Sequence, residues 1–282
     1  MSDGSYRGWR RPGPVPPGGI EPLPGETLDF LCGHYRIFQY ERGHRYSTDD
    51  VLTAWYGTQW APRVDQALDL GSGIGSVAMI AAWRLPGAHF CTIEAQESSI
   101  RLARKSVAFN GLGERFELVE GDFRNFSLLS GQGPFELVLG SPPYFPEGTA
   151  TAAEHPQAVP ARIEVRGDVS DYAKAASVAL GVGGVFAFVF PTGQLDRVKR
   201  ALQDASLVLL RRREVVFKEG EPSVITLFAA SRRADLPSSF GGGQIGKPVV
   251  EPPLIIRARD GSVHPEYATI RLSFGFPPGD MS

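Results

Sequence analysis

"LDLGSGIGSVAMIAAWRL", residues 68–85, decides the fold. A short apolar run closes on Asp69, three glycines follow at positions 71, 73 and 75, and an apolar helical segment begins at once. Glycine there lets the backbone turn tightly and lets a ligand approach main-chain N–H groups at the carboxyl edge of a sheet. The spacing is GxGxG, one residue shorter than the GxGxxG of dinucleotide enzymes. By itself the turn serves either as a ligand cradle or as a plain strand-to-helix connection.

Working outward, apolar strands alternate with helical segments: "ALDLG", "IGSVAMIAAWRL", "HFCTIE", "SSIRLARKSVAFNG", "FELVEGD", "FELVLG", "DYAKAASVALG", "GVFAFVFP" and "QLDRVKRALQDA". Strands separated by helices of that length form right-handed βαβ units, so an α/β, doubly wound, mainly parallel sheet is expected. Two closing strands, "LVLLRRREVVF" and "SVITLFAASRR", have no helix between them and predict an antiparallel hairpin at one edge. That ending gives a seven-stranded, Rossmann-like sheet. Upstream, "YRIFQYERGHRYS" alternates around Gly43 and predicts a short hairpin, while Ser47 with Asp50 reads as a capping box opening a helix that stops at Gly57. Four regions follow: a flexible Pro/Gly/Arg-rich arm (1–25), a hairpin and helix packed on the core (26–64), the core itself (65–235), and a Gly/Pro loop with a returning C-terminal strand, "PPLIIRARDG" (236–282).

Composition narrows the class. The chain has 282 residues, 42% of them hydrophobic, and a net charge of −2, ordinary values for a globular protein with a sizeable core and no overall attraction to a polyanion. Arginines clump at 211–213 and 232–233, which leaves room for a local basic face beside the plain reading of solvated arginines at helix and strand ends. Cys32 and Cys91 lie far apart without CxxC spacing, the N-terminus has no apolar h-region, and no apolar run is long enough to span a bilayer. A reducing, cytoplasmic compartment and no membrane partner are expected. The five histidines have no metal-ligand spacing, so no metal is expected, and Ser72 does not stand in a GxSxG elbow. Oligomeric state is open, with a monomer the simplest expectation.

The chemistry is carried by four strand ends. Glu94 closes the second strand about 20 residues after the glycines, where a carboxylate can accept from two ribose hydroxyls. Asp122 follows the third, placed to accept from an adenine amine, with Phe123 as a wall against the ring. With Asp69 and the turn Gly71-Ser72-Gly73 with Gly75, these describe a pocket for a nucleoside bearing a small charged group. The fourth strand ends in Ser141-Pro142-Pro143-Tyr144, followed by Phe145. Two prolines cannot continue a ladder, so they stiffen a backbone that aims a carbonyl away from the sheet. An amine on an aromatic ring is a poor nucleophile because its lone pair is delocalised. Hydrogen bonds from its N–H groups to the Ser141 hydroxyl and the Pro142 carbonyl would restore a tetrahedral nitrogen and aim it at a sulfonium methyl, with Tyr144 stacked on the base.

These residues resemble the (N/S)PPY class of Rossmann-like, S-adenosylmethionine-dependent amino-methyltransferases, and more narrowly the bacterial tRNA(Val) (adenine-N6)-methyltransferase family. The likeness runs from Phe38 to Ile270 through "GHRYSTDDVLTAW", "LDLGSGIG", "SPPYF", "HPQAVPAR", "GGVFAFVFP" and "PPLIIRARDGSVHPEYATI". It implies S-adenosylmethionine as donor and RNA, a tRNA, as partner. It also implies that Tyr46 and Asp49 line the methionine end of the donor, and that Arg162 stands at the substrate entrance beside a phosphate. That family generally carries Asn where this chain has Ser141; Ser is more familiar in enzymes acting on the cytosine amine. Other acceptors are the glutamine amide of a release factor and cytosine N4 of DNA, and a further reading is a degenerate RNA-binding subunit. Only about 60 residues precede Gln66, short for the helical recognition domain of the release-factor enzymes.

Overall fold

The computed structural model describes residues 5–6, 9–60, 63–146, 148, 155–237 and 247–277. Ahead of the glycine turn lie β1 (Ser5–Tyr6), β2 (Trp9–Arg10), β3 (Glu26–Cys32), β4 (Tyr35–Tyr40) and α1 (Thr48–Trp60). The alternating segment supplies β5 (Gln66–Leu70), α2 (Ser76–Arg84), β6 (His89–Glu94), α3 (Glu97–Phe109), β7 (Phe116–Glu120) and β8 (Phe135–Gly140). Then come α4 (Val159–Arg162), α5 (Val169–Ala179), β9 (Leu180–Pro191), α6 (Leu195–Asp204), β10 (Leu207–Lys218), β11 (Ile225–Arg232), β12 (Val249–Arg257) and α7 (Pro265–Ser273).

The main sheet has the order β12-β10-β11-β9-β8-β5-β6-β7, with β11 antiparallel to both neighbours and every other pairing parallel. This is the doubly wound, Rossmann-like arrangement expected from the sequence, with one strand more. The eighth is the C-terminal strand: it begins at Val249, inside the stretch expected to be loop, and covers β10, so the antiparallel hairpin is not the outermost pair. The sequence marks this returning strand but not its partner, because its prolines interrupt the ladder. Pro252 and Pro253 lack N–H groups, and the register skips between Arg213 and Val215, a bulge that an edge strand tolerates.

Side-chain alternation in β9 sorts the layers. Phe186, Phe188 and Phe190 point into the core beneath α5 and α6, with Phe186 and Phe188 stacked at 4.5 Å. Ala187 and Val189 point to the opposite face, which α1, α2 and the β3–β4 hairpin cover. Small residues on that face let α1 come close. The helix runs past Gly57, where the sequence placed its end, because glycine is needed there for contact: a Cβ would lie 2.5 Å from Leu139 Cδ2 and 3.2 Å from Ala187 Cβ. Its start is as expected, with Ser47 N donating to Asp50 Oδ2 at 2.8 Å and Asp49 N donating to Ser47 Oγ at 3.3 Å.

Two N-terminal features differ from expectation. The hairpin pairs β3 with β4, Leu28 opposite Phe38, and turns at Gly33–His34; Gly43 lies beyond it in a loop. The strand partner is the upstream "ETLDFLC", whose alternation is obscured by Asp29, a residue that Arg45 pairs at 2.8 Å. Within the arm, residues 9–25 lie on the core: Gly18 N donates to the Phe109 carbonyl, Lys105 Nζ donates to the Glu21 carbonyl, and the Arg11 guanidinium sits 4.4 Å from the Phe30 ring centroid. Residues 1–4 and 7–8 of that arm, and 238–246 and 278–282 of the C-terminal region, lie outside the described residues. No helix among the described residues is long and apolar enough to cross a membrane.

Overpacking a filled interface costs about 1–3 kcal/mol. Gly57→Val is expected to lower the unfolding free energy from urea titration by an amount in that range, seen as a lower midpoint. Gly87→Ala, whose Cβ meets nothing within 4 Å, is expected to leave the midpoint in place.

Candidate active site

Strand order reverses between β5 and β8. The chain winds from β5 outward to β6 and β7, then returns to the other side of β5 with β8, which opens a crevice beyond their carboxyl ends. The register sets Leu70 opposite Gly140, so the glycine turn and Ser141 start side by side. A cleft of ≈ 1060 Å³ lies over this point, at the upper end of the ~300–1,000 Å³ range of small-molecule sites. Its lining includes Asp49, Asp69, Gly71, Ser72, Gly73, Glu94, Asp122, Phe123, Ser141, Pro142, Pro143, Tyr144 and Phe145, residues drawn from across the chain.

The glycine positions have different reasons. At Gly71 (φ +58°) a Cβ would stand 2.1 Å from the Tyr172 hydroxyl, so close packing forbids a side chain. At Gly73 (φ +57°) a Cβ would meet nothing within 4 Å, so the backbone faces the open cleft. The Gly73 N–H donates to Glu94 Oε2 at 2.8 Å and Gln96 N donates to Glu94 Oε1 at 2.6 Å, which fixes the carboxylate at the tip of β6. A carboxylate has about four lone-pair sites, so capacity for a diol remains. Asp69 sits under the turn, buried, accepting from Ala78 N at 3.1 Å.

Asp122 faces the cleft but is gripped by Arg124, whose Nη2 donates to Oδ2 at 2.5 Å and whose backbone N–H donates to Oδ1. That guanidinium holds the Asp122 carboxyl below the usual range. Phe123 is buried and meets Tyr172 edge-on at 4.5 Å, so only part of it serves as wall. Tyr144 is half-buried and tethered: its hydroxyl donates to Asp49 Oδ2 at 2.6 Å, its ring meets Phe190 edge-on, and its carbonyl accepts from Gln194 Nε2. Phe145 is the exposed aromatic at the mouth.

Tyr46 is not part of the cleft. Its hydroxyl donates to the Phe30 carbonyl at 2.7 Å and its backbone N–H to Gln39 Oε1, so it braces the hairpin against the start of α1. A mostly buried phenol needs a partner, and the nearby strand supplies one; burial pushes its pKa up to about 12. Arg162 belongs to α4, but its side chain lies outside the described residues. The sequence also passed over several cleft residues. Gln157 is buried, accepts from His44 N at 2.6 Å and donates to Ser99 Oγ at 2.9 Å, so "HPQAVPAR" closes down on the segment after the hairpin. The hint was present in that motif, but no local spacing assigns Gln157 a partner 113 residues away. Arg166 lines the cleft near Glu94 and Asp122, and its Nη1 is buried without a hydrogen-bond partner among the described residues. No sequence signal marked it.

Charge separates the possible cofactors. Asp49, Asp50, Asp69, Glu94 and Asp122 line the cleft against Arg42, Arg45 and Arg166. Burial pushes Asp49 and Glu94 above the usual carboxylate range and Asp69 up to about 8, with neighbouring Asp50 and Glu94 adding to the last. A cationic ligand stabilises the ionised forms of these acids, whereas the pyrophosphate of a dinucleotide would oppose their ionisation further. The buried, unpartnered hydroxyls of Ser72 and Ser141 fit a polar ligand as well.

The raised Asp69 pKa has a testable sign. An acid whose folded pKa exceeds its unfolded value keeps its proton in the folded chain while the unfolded chain loses it, so stability falls as pH rises from about 4 toward 8. Ligand-free protein is therefore expected to lose stability in chemical denaturation between pH 5 and pH 8. Asp69→Asn, which retains an acceptor for Ala78 N, is expected to shrink that difference.

Comparison with known proteins agrees with the geometry. Residues 58–159 match the family described as the methyltransferase small domain. A "tRNA1(Val) (adenine(37)-N6)-methyltransferase" of Shewanella sp. (strain MR-4) is 29% identical over 65% of this chain and 76% of its own. A "Release factor glutamine methyltransferase" of Chlorobaculum tepidum is 32% identical over 45% of this chain and 48% of its own. Among solved structures, a predicted O-methyltransferase from Agrobacterium tumefaciens superposes with a TM-score of 0.61 at 20% identity, covering 83% of this chain and 100% of its own, a likeness of fold. The chain thus carries a methyltransferase small domain over residues 58–159, on a sheet whose switch point bears the cleft, and is similar beyond that domain to S-adenosylmethionine-dependent N-methyltransferases.

Proposed function

We propose that the chain methylates the exocyclic amine of a nucleobase in RNA, adenine N6 of a tRNA, in the cytoplasm. The observation that carries this reading is the Ser141 hydroxyl, buried at the tip of β8 beside the glycine turn without a hydrogen-bond partner among the described residues. Leaving such a group unsatisfied costs about 1–3 kcal/mol, a cost that an incoming N–H donor removes. Buried Pro142 and Pro143 hold the adjoining backbone rigid, so a carbonyl acceptor stands at a fixed place beside the hydroxyl.

S-adenosylmethionine supplies an electrophilic methyl on a sulfonium. Glu94 is assigned to its ribose, Asp122 and Phe123 to its base, and the Gly71–Gly75 turn with Ser72 to its approach; Asp49 also lines the cleft. Ser141 and the Pro142 carbonyl take the amine hydrogens and turn the nitrogen lone pair toward the methyl. Methylated arylammonium is a strong acid and loses its proton to water, so no strong base is needed. Tyr144 provides the inner stacking face, while Phe145 and Arg42 at the mouth serve the flanking base and a phosphate. The curated tRNA relative supports this acceptor, and the release-factor relative supports a planar amide instead.

Labelled S-adenosylmethionine is to be incubated with the protein and, in parallel reactions, total tRNA, DNA or a release factor, and the labelled nucleoside or residue identified by mass spectrometry after digestion. Label is expected in N6-methyladenosine, and Ser141→Ala is expected to lower turnover by about 10²-fold with little change in donor affinity. Label in a release factor would move the acceptor to a glutamine amide. Label in N4-methylcytosine of DNA would exclude the RNA reading.

A further inference from the structure

Asp49 stands where the donor and acceptor sites meet. It lies in the first turn of α1 on the cleft wall, and its Oδ2 accepts from the Tyr144 hydroxyl at 2.6 Å. Tyr144 directly follows Ser141-Pro142-Pro143, so this carboxylate is one side chain from the strand tip where the amine is held. No Lys or Arg pairs with Asp49 among the described residues. The adjacent Asp50 is engaged elsewhere, accepting from Ser47 N and from Ser76 Oγ at 2.5 Å. Burial and the Asp50 charge both oppose ionisation of Asp49, whereas the hydrogen bond from Tyr144 favours it.

Those two relations make one device. The reacting sulfur must come within methyl-transfer distance of the amine, hence close to Asp49. Before transfer it is a cation; afterwards the S–CH3 bond has broken, its electron pair stays on sulfur, and the sulfide is neutral. The new N–C bond uses the amine lone pair, and the proton leaves from nitrogen. Resting on the methyl-transfer reading above, we infer that Asp49 is a positioning residue. Through the Tyr144 hydroxyl it fixes the stacking ring, and the same carboxylate holds the sulfonium donor in preference to the neutral sulfide left after transfer. The hydroxyl sustains the charge that makes this preference, so platform and donor discrimination depend on one bond. Transfer thereby removes the attraction that held the donor and promotes release of the spent product.

Calorimetry with S-adenosylmethionine and with S-adenosylhomocysteine tests this without an acceptor. Tyr144→Phe keeps the ring and removes the hydroxyl, and Asp49→Asn keeps the shape and removes the charge; thermal melts check that both variants fold. Each is expected to weaken S-adenosylmethionine binding roughly three- to tenfold, with S-adenosylhomocysteine affinity within about twofold. The double variant is expected to match Asp49→Asn alone, because both changes act on the same bond. Equal losses for the two ligands, or additive losses in the double variant, would overturn the inference. Absence of S-adenosylmethionine binding by the wild-type chain would overturn the methyl-transfer reading together with it, whereas label found on a non-RNA acceptor would overturn the acceptor alone.

Discussion

The parallel pairing of β5 with β8 is the constraint on which the rest depends. With Leu70 opposite Gly140, both strands stop together, and their next residues are a glycine and a serine. Had either strand run two residues longer, its ladder would have consumed the polar groups that now face the cleft. Gly71 cannot carry a side chain because Tyr172 fills that space, and Pro142 cannot extend the ladder because it has no N–H. Two different chemical devices thus end two neighbouring strands at one level. On the proposed reading, the donor cradle and the amine-holding tip are consequences of that shared ending.

Stability and function pull in opposite directions at this site. Asp69 is buried and Asp49 and Glu94 are pushed toward protonation, which costs the folded chain without a cationic ligand. The surrounding core tolerates the cost. Phe186, Phe188 and Phe228 stack in series under one face, with centroids 4.5 and 5.0 Å apart, and the close contact of α1 with β8 and β9 fills the other. Within the arginine cluster at 211–213, Arg213 belongs to the interior and not to a solvated face: it is buried, donates to the Pro252 carbonyl, pairs with Glu266 and lies over Trp55, and so ties β10, β12, α7 and α1 together.

What was legible in the sequence was what short-range rules govern. Alternating strands and helices gave the sheet, the capping box at Ser47 and Asp50 gave the start of α1, and the GxGxG turn and SPPY gave two sides of the cleft. What was not legible depends on partners far along the chain. Gly57 looked like a helix end because its reason, contact with Leu139, lies 82 residues away in the sequence and in another layer. The C-terminal strand was legible, but its place beside β10 was not, because its prolines interrupt the ladder that would mark a partner. Tyr46 carried a role implied by resemblance, but a half-buried phenol goes to the acceptor within reach, and here that is the Phe30 carbonyl. Gln157, Arg166 and Tyr172 entered the site only through folding.

The serine at position 141 bears on the acceptor in a way that an asparagine would not. An asparagine accepts through its amide oxygen and donates through a separate NH2, both further from the backbone; a hydroxyl accepts and donates from one nearer atom. Beside an exocyclic amine, both adenine and cytosine present a ring nitrogen that accepts, so one Ser141 hydroxyl can take an amine N–H and donate to that neighbour. A glutamine amide offers its own carbonyl in the corresponding position. The shorter reach requires the base to come nearer the strand tip, and Tyr144, held by Asp49 and set against Phe190, limits how that base can tilt as it does so. On the proposed reading, selection among the planar amines falls to the shape between Tyr144 and the mouth residues more than to the hydrogen-bonding pattern at Ser141.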